Sequence, residues 1–202
     1  GLGALAAGNT TTITVQAKDA SGNNLTVSGG TVTLATTAGS VGAVTNNGDG
    51  TYSATFTATT TGAATVSGTI SGPNITSTAA ITVTAGAASA GQSIATVPTG
   101  VAGSQTTITV QARDAFGNNR TTPSGTVAAA VTGANTATGS VTENNGSYTI
   151  TYTPIATGSD AIAITLNGAA IGGSPFASVV TAGPLAGYLV EASGGGAIIP
   201  QT

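Results

Sequence analysis

The sequence contains Thr11-Thr-Ile-Thr-Val-Gln-Ala-Lys-Asp-Ala-Ser-Gly-Asn-Asn24 and, 95 residues later, Thr106-Thr-Ile-Thr-Val-Gln-Ala-Arg-Asp-Ala-Phe-Gly-Asn-Asn119. The copies differ only where Lys18 and Ser21 become Arg113 and Phe116. Two further pairs keep nearly the same spacing: Tyr52-Ser-Ala-Thr-Phe-Thr57 with Tyr148-Thr-Ile-Thr-Tyr-Thr153, and Thr84-Ala-Gly86 with Thr181-Ala-Gly183. Self-similarity at a fixed period indicates repeat architecture. We therefore predict one module at residues 1–86 and a second at 87–183.

Residues 184–202 begin the pattern once more. Gly187-Tyr-Leu-Val-Glu191 and Pro200-Gln-Thr202 align with Gly91-Gln-Ser-Ile-Ala95 and Ser104-Gln-Thr106. The first module is expected to lack the counterpart of residues 92–95, so that its first strand is incomplete. Two interpretations are open: the segment opens a third module of a longer array, or it is a strand donated to a neighbouring chain. The longer array is favoured, because residues 193–202 align with residues 2–11 and are read as a duplicated stretch.

Both modules show the alternation of apolar and hydroxyl side chains that is typical of strands with one buried face. Gly and Asn clusters, which favour tight turns, separate these runs. Many short strands at this spacing predict an all-β fold of tandem immunoglobulin-like β-sandwich modules. The side chains expected to point inward are Ile13, Val15, Ala17, Val32, Leu34, Tyr52, Ala54, Phe56, Val66, Ile70, Ile81 and Val83, then Ile108, Val110, Ala112, Val127, Val131, Tyr148, Ile150, Tyr152, Ile162, Ile164, Leu166 and either Val179 or Val180.

Two segments, Asp49-Gly-Thr-Tyr52 and Asn145-Gly-Ser-Tyr148, resemble the tyrosine corner of Ig-like folds, in which a Tyr hydroxyl binds backbone a few residues upstream. Tyr52 and Tyr148 are therefore predicted to have a structural role. The twice-used stretch resembles the opening of bacterial invasin and intimin surface repeats. The second module is also similar to filamin-type repeats through Ala112-Arg-Asp-Ala115, Asn145-Gly-Ser-Tyr148, Thr153-Pro154 and Gly173-Ser-Pro-Phe176.

The resemblance implies extracellular modules that serve on a cell surface as spacer or polymer units of a filament, stalk or giant adhesin, with no catalytic residue. The partners it implies are copies of the same kind, as head-to-tail neighbouring modules or chains, with lateral self-association as a second mode. Two alternatives stay open: an adhesive or carbohydrate-binding surface module, and an Ig-like decoration of a phage virion.

The amino-acid composition argues against several classes of function. The 202 residues include no Cys and no His, and only three Lys and Arg together, with a formal net charge of -3. Disulfides, thiolate metal sites and the usual general base are therefore unavailable, and we expect no enzyme. Three cations do not form the basic stripe that nucleic acid requires. No apolar run has the length of a bilayer span, so this segment is not expected to insert into a membrane.

Two loops carry oxygen-bearing side chains at calcium-like spacing, Asp19 with Asn23 and Asp114 with Asn118. The second copy has Phe116 where a ligand would lie, and neither copy is followed by a bidentate Glu. Capping of a tight turn by Asp and Asn is the favoured interpretation, and Ca²⁺ is the weaker one.

Five Asn-X-Ser/Thr triplets could accept glycans, although chance is the leading explanation in a sequence so rich in Asn and Thr. They begin at Asn9, Asn24, Asn74, Asn119 and Asn145. Two aromatic residues, Phe116 and Tyr188, are predicted to pack where the end of one module meets its neighbour.

Overall fold

The computed structural model describes residues 3–187, which form eighteen β-strands and, within that range, no helix. The all-β prediction is confirmed. Val, Ile and Thr dominate the strands because their branched Cβ atoms favour extended backbone, and the period-two pattern gives each strand one apolar face. In this part of the chain, no strand before residue 85 pairs with a strand after residue 87. We call residues 5–84 the first unit and residues 88–181 the second unit.

The first unit consists of two sheets with the strand orders β1-β8-β7-β3 and β2-β6-β4, and β5 also pairs with β6. Its first strand, β1, lies parallel to β8, and the other pairs are antiparallel. The strand bounds are β1 Leu5–Ala6, β2 Thr10–Gln16, β3 Val32–Thr36, β4 Ser40–Val41, β5 Thr45–Asn46, β6 Thr51–Thr57, β7 Gly62–Ile70 and β8 Ala79–Thr84.

The second unit repeats this plan with one additional long strand, β9. Its sheets have the orders β10-β18-β16-β12-β13 and β14-β15-β11-β9, and β17 pairs with β16. The strand bounds are β9 Ala88–Thr96, β10 Gly100–Val101, β11 Thr106–Asp114, β12 Val127–Gly133, β13 Ala137–Thr138, β14 Ser140–Asn144, β15 Ser147–Tyr152, β16 Gly158–Leu166, β17 Ala169–Ala170 and β18 Phe176–Thr181.

The inward face follows the alternation in both units. Most of the side chains expected inside are buried, and Val15, Leu34 and Ile70 are half-buried. At the one position where two residues competed, Val180 is buried at 2% exposure and Val179 is 54% exposed. The core therefore lies between the two sheets of each unit, as a β-sandwich requires.

The tyrosines anchor a segment that is farther away than expected. The Tyr52 hydroxyl donates to the Gly30 carbonyl at 2.7 Å, 22 residues upstream, and Tyr148 donates to Gly125 at 2.8 Å, 23 residues upstream. Gly29 also donates its N–H to Tyr52 at 2.9 Å. The expectation of an acceptor only a few residues upstream is therefore wrong. Each tyrosine instead bonds to the segment that leads into β3 or β12 and so fixes that segment against the core.

Within residues 3–187, no helix is long and apolar enough to cross a membrane.

Candidate functional site

The two units meet through a set of contacts that we call the joint. The first unit contributes the loop at residues 58–61 between β6 and β7, together with the connection at residues 85–87. The second unit contributes the loop at residues 115–120 that follows β11. This loop is the end of the twice-used stretch, so the sequence that defines the repeat also supplies the contact between repeats.

Asp114 is the buried anchor of the joint, with 0% of its surface exposed. Its carboxylate accepts the Gly86 N–H at 2.8 Å across the joint, and it accepts the N–H groups of Phe116 and Asn118 at 2.9 and 3.0 Å within its own loop. Burial raises the pKa of the Asp114 carboxyl, but these hydrogen bonds and one from the Asn118 side chain outweigh burial, so the pKa lies below its ordinary value. The carboxylate is thus held charged and fully bonded.

Asn118 extends the contact to the loop of the first unit. Its side-chain nitrogen donates to the Thr59 carbonyl at 2.8 Å and to Asp114 at 2.8 Å. Its side-chain oxygen accepts the Thr61 N–H at 3.2 Å. One amide therefore uses both of its ends to join the two units, and Asp114 fixes its orientation.

Arg120 binds the connection itself. Its Nη1 atom donates to the Gly86 carbonyl and lies 3.4 Å from the Ala85 carbonyl. The guanidinium is held in place from the other side, where Nε donates to Ser124 at 3.0 Å and Nη2 donates to Thr122 at 2.9 Å. Both backbone groups of Gly86 are thus bonded, the N–H by Asp114 and the carbonyl by Arg120. Such a connection has little freedom to rotate.

Phe116 lies at the edge of the joint and is 50% exposed. A Cβ atom added to Gly8 would lie 3.3 Å from Phe116 Cε2, so the ring edge reaches the first unit. One edge of the Phe116 ring therefore lies next to the first unit, and half of the residue's surface is exposed. Tyr188, the other aromatic residue assigned to a module end, lies outside the described residues.

The first unit carries the same loop without a neighbour in the described structure. The Asp19 carboxylate accepts the N–H groups of Ser21 and Asn23, each at 2.9 Å, and the Asn23 side chain also at 2.9 Å. These bonds, that of the Asn23 side chain above all, lower the pKa of Asp19. The loop is shaped as at the joint, but Asp19 is exposed. The loop therefore has this shape without a contact from another unit.

The calcium interpretation competes with these bonds. In both loops the carboxylate oxygens already accept N–H groups, which is what the capping interpretation expects. Among residues 3–187, no group of three or more His, Cys, Asp or Glu is placed to hold a metal ion. In both loops the Asp carboxylate thus accepts N–H groups of its own turn, and Ca²⁺ binding there stays a prediction.

The five glycosylation candidates all lie on exposed residues: Asn9, Asn24, Asn74, Asn119 and Asn145. The side chain of Asn119 accepts a hydrogen bond from Arg113 Nε at 2.9 Å. Glycosylation at these positions stays a prediction.

Two features of the site were missed by reasoning from the sequence. Arg120 follows the repeated stretch directly, and the first copy has Leu25 there, so this difference could have drawn attention to it. Asp160 is 1% exposed and binds Asn135 at 2.8 Å and the Tyr152 hydroxyl at 3.2 Å. Burial raises the pKa of Tyr152, and the charge of Asp160 adds to the effect. A charged residue in the inward register of β16 was the available signal.

Two family models match the chain. The model of invasin domain 3 matches residues 3–86, and the model of the filamin/ABP280 repeat matches residues 83–177. The first unit is therefore similar to an invasin domain and the second unit to a filamin repeat. These Ig-like repeats confirm both halves of the resemblance drawn from the sequence. Neither family model is that of an enzyme.

The tandem repeats are also similar to solved structures of longer proteins. The crystal structure of invasin, described as a bacterial integrin-binding protein, is 27% identical with a TM-score of 0.53, and the match covers 86% of this chain and 36% of that one. InvD of Yersinia pseudotuberculosis is 29% identical with a TM-score of 0.50, and the match covers 91% of this chain and 58% of that one. The chain thus spans less than two thirds of either structure. No curated protein matches it.

Proposed function

We propose that these repeats are spacer units of an extracellular cell-surface filament, stalk or giant adhesin, and that they perform no catalysis. The observation that carries the proposal is the joint, in which Asp114, Asn118 and Arg120 fix the connection between two sandwiches. The match to an invasin domain and the similarity to the solved structure of invasin support a location on the cell surface.

The joint is suited to hold two units in one orientation. Its contacts reach the first unit at two separate places, the loop at residues 58–61 and the connection at residues 85–87. Two separated attachments resist bending and twisting better than a single covalent connection does. Hydrogen bonds to charged groups are also the stronger class, and here Asp114 and Arg120 supply the charges. A spacer requires this property, because flexible connections would let the array collapse.

The experiment removes the contacts and measures the relative orientation of the units. We expect the double variant Asn118→Ala, Arg120→Ala to lose the fixed orientation of the two units. The residual dipolar couplings of the two units should then no longer fit one common alignment tensor, and the small-angle scattering profile should change. Asn23→Ala is the matched control, since it alters the same loop where no neighbour is bound. Unchanged orientation in the double variant, or an equal change in the control, would overturn the proposal.

The similarity to invasin favours a second function, adhesion through one of the repeats, since that protein is described as integrin-binding. An adhesion assay on immobilised chain separates the two functions. Retention of integrin-bearing cells by the 202-residue chain would support adhesion, and no retention would leave the spacer function alone.

A further inference from the structure

A groove of about 340 Å³ runs along the outer edge of β2 in the first unit. Its walls come from both sheets. One wall is β2, and the other is formed by β7 and the segment that leads into β8, including Val66, Ile75 and Ala79. Within residues 3–187, β2 pairs with β6 on one edge only. An open strand edge beside a groove that is partly lined by apolar side chains is an arrangement to which an added strand binds.

The second unit shows what belongs in this place. There β9 pairs antiparallel with β11, with Thr109 opposite Thr96, Val110 opposite Ala95 and Gln111 opposite Ile94. The corresponding residues of β2, from Thr14 to Gln16, line the groove. In the second unit β9 also reaches the other sheet, because Gly172 donates its N–H to the Ala90 carbonyl at 3.2 Å. The groove of the first unit is therefore the counterpart of the β9 position, and none of residues 3–187 pairs with β2 there.

We propose that this groove binds residues 184–202 of a second copy of the chain, as a strand antiparallel to β2. The proposal rests on the spacer function proposed above and names the partner through which the units extend into a chain of molecules. The first unit of one molecule is thereby completed by the C-terminal segment of the next.

The sequence of the segment fits the position. Aligned from Thr181-Ala-Gly183 and Thr84-Ala-Gly86, Leu185 takes the place of Ala88. In the alignment of Gly187-Tyr-Leu-Val-Glu191 with Gly91-Gln-Ser-Ile-Ala95, Leu189 takes the place of Ser93. Both replaced residues lie on the side of β9 that packs towards the core. Leu185 is 72% exposed in the single chain, so it has an apolar surface still to bury.

The sizes are complementary as well. The groove is lined by Ala79 where the second unit has Phe176, and by Val66 where the second unit has Ile162. Smaller walls leave room for the two larger Leu side chains of the incoming segment, which keeps the total core volume similar.

The position of the segment is also consistent with a joint between two molecules. Residues 182–187 leave the second unit after β18, as residues 85–87 leave the first unit after β8. At the joint within one chain, the Gly86 N–H binds Asp114, and the equivalent groups are Gly183 and Asp19. The preformed Asp19 loop is therefore placed to accept the Gly183 N–H of the second copy when the strand is seated.

The test uses two variants of the whole chain, one for each partner surface. Thr14→Pro removes an N–H from β2 on the side away from β6, since the bond from Ala17 to Gly50 places the odd-numbered residues towards β6. Leu189→Asp places a charge on the inserted face of the segment. Val179→Asp is the matched control, because Val179 is exposed on β18, away from the groove. Ser77→Trp blocks the groove without changing β2.

We expect the 202-residue chain to associate into linear species of increasing length in sedimentation velocity experiments. Thr14→Pro, Ser77→Trp and Leu189→Asp should each weaken the association at least about tenfold, and Val179→Asp should not. An equimolar mixture of Thr14→Pro with Leu189→Asp should yield dimers and no longer species, because one variant retains only the donor segment and the other only the groove.

Three results would overturn the proposal. The chain could stay monomeric at millimolar concentration, which would assign the groove to another segment. Association could persist in the variants, which would assign it to lateral contacts. The mixture could fail to dimerise although Leu189→Asp retains the circular dichroism spectrum of the parent chain. None of these results bears on the orientation measurement within one chain, so a rigid joint in a monomeric protein would leave the spacer function standing.

Discussion

The two units share a sequence pattern and differ in how their cores are built. In the second unit, thirteen buried residues form one cluster, whereas in the first unit the buried residues divide into clusters of eight and three. Val110 is 1% exposed, but its counterpart Val15 is only half-buried. The difference follows from β9, which covers the edge of β11, whereas no strand within residues 3–187 covers the same edge of β2. A single strand at an edge thus decides whether one continuous core forms.

The largest expected effect tests this explanation in matched positions. Ile171 is 3% exposed beneath β9, and its counterpart Ile75 lines the open groove. Ile171→Ala should lower the free energy of unfolding of the second unit by about 2–5 kcal/mol, because it leaves a cavity. Ile75→Ala should cost clearly less, since its side chain already borders open space. Calorimetry of the two variants checks this, and equal losses would refute the role given to β9.

The next effect compares the occupied loop with the free one. Asp114→Asn should destabilise the second unit and the joint by about 1–3 kcal/mol, because it weakens several hydrogen bonds to a buried charge. Asp19→Asn should have a smaller effect, since Asp19 is exposed.

The same pair predicts a dependence on pH. The folded-state pKa of Asp114 lies below its ordinary value of 3.8, so its stabilisation is present above that value and is lost as the pH falls through the lowered pKa. The orientation of the two units should therefore loosen only at acid pH. Asp114→Asn should remove that dependence, and a parent chain whose orientation loosens at pH values above the ordinary pKa of Asp would contradict the assignment.

The smallest effect should be equal in the two units. Tyr52→Phe and Tyr148→Phe each remove one hydroxyl that bonds the segment before β3 or β12. Each should cost about 1 kcal/mol, the usual net value of a hydrogen bond. Urea titrations of both variants provide the measurement. A clear inequality would mean that the two corners have different roles.

Much of this architecture could be predicted from the sequence, because alternation and turn residues are local signals. Ile13, Ile108 and Tyr148 were placed inside by spacing alone. The half-burial of Val15 was not predictable from its own neighbourhood, since it depends on whether another strand covers the edge of β2, as β9 covers the edge of β11.

The joint shows the same limit. The Asp and Asn of the repeated loop were recognised as turn caps, but the N–H that Asp114 binds belongs to Gly86, 28 residues away. The contact of Arg120 with that connection also joins residues far apart in the sequence, with separations of 35 and 34 residues. A repeat in the sequence identifies equivalent loops, and only the packing of whole units shows which of those loops is occupied.

The parallel pairing of β10 with β18 has a mechanical consequence. Gly100 lies opposite Val180 and Val101 opposite Thr181, and β1 lies beside β8 in the same way. When the neighbours of a unit are pulled apart, such strands are drawn in opposite directions along their own axes, so the bonds between them bear the load together instead of breaking one after another. Tandem units built in this way should withstand tension along the chain, and stretching of single molecules that showed gradual peeling at low force would contradict this geometry.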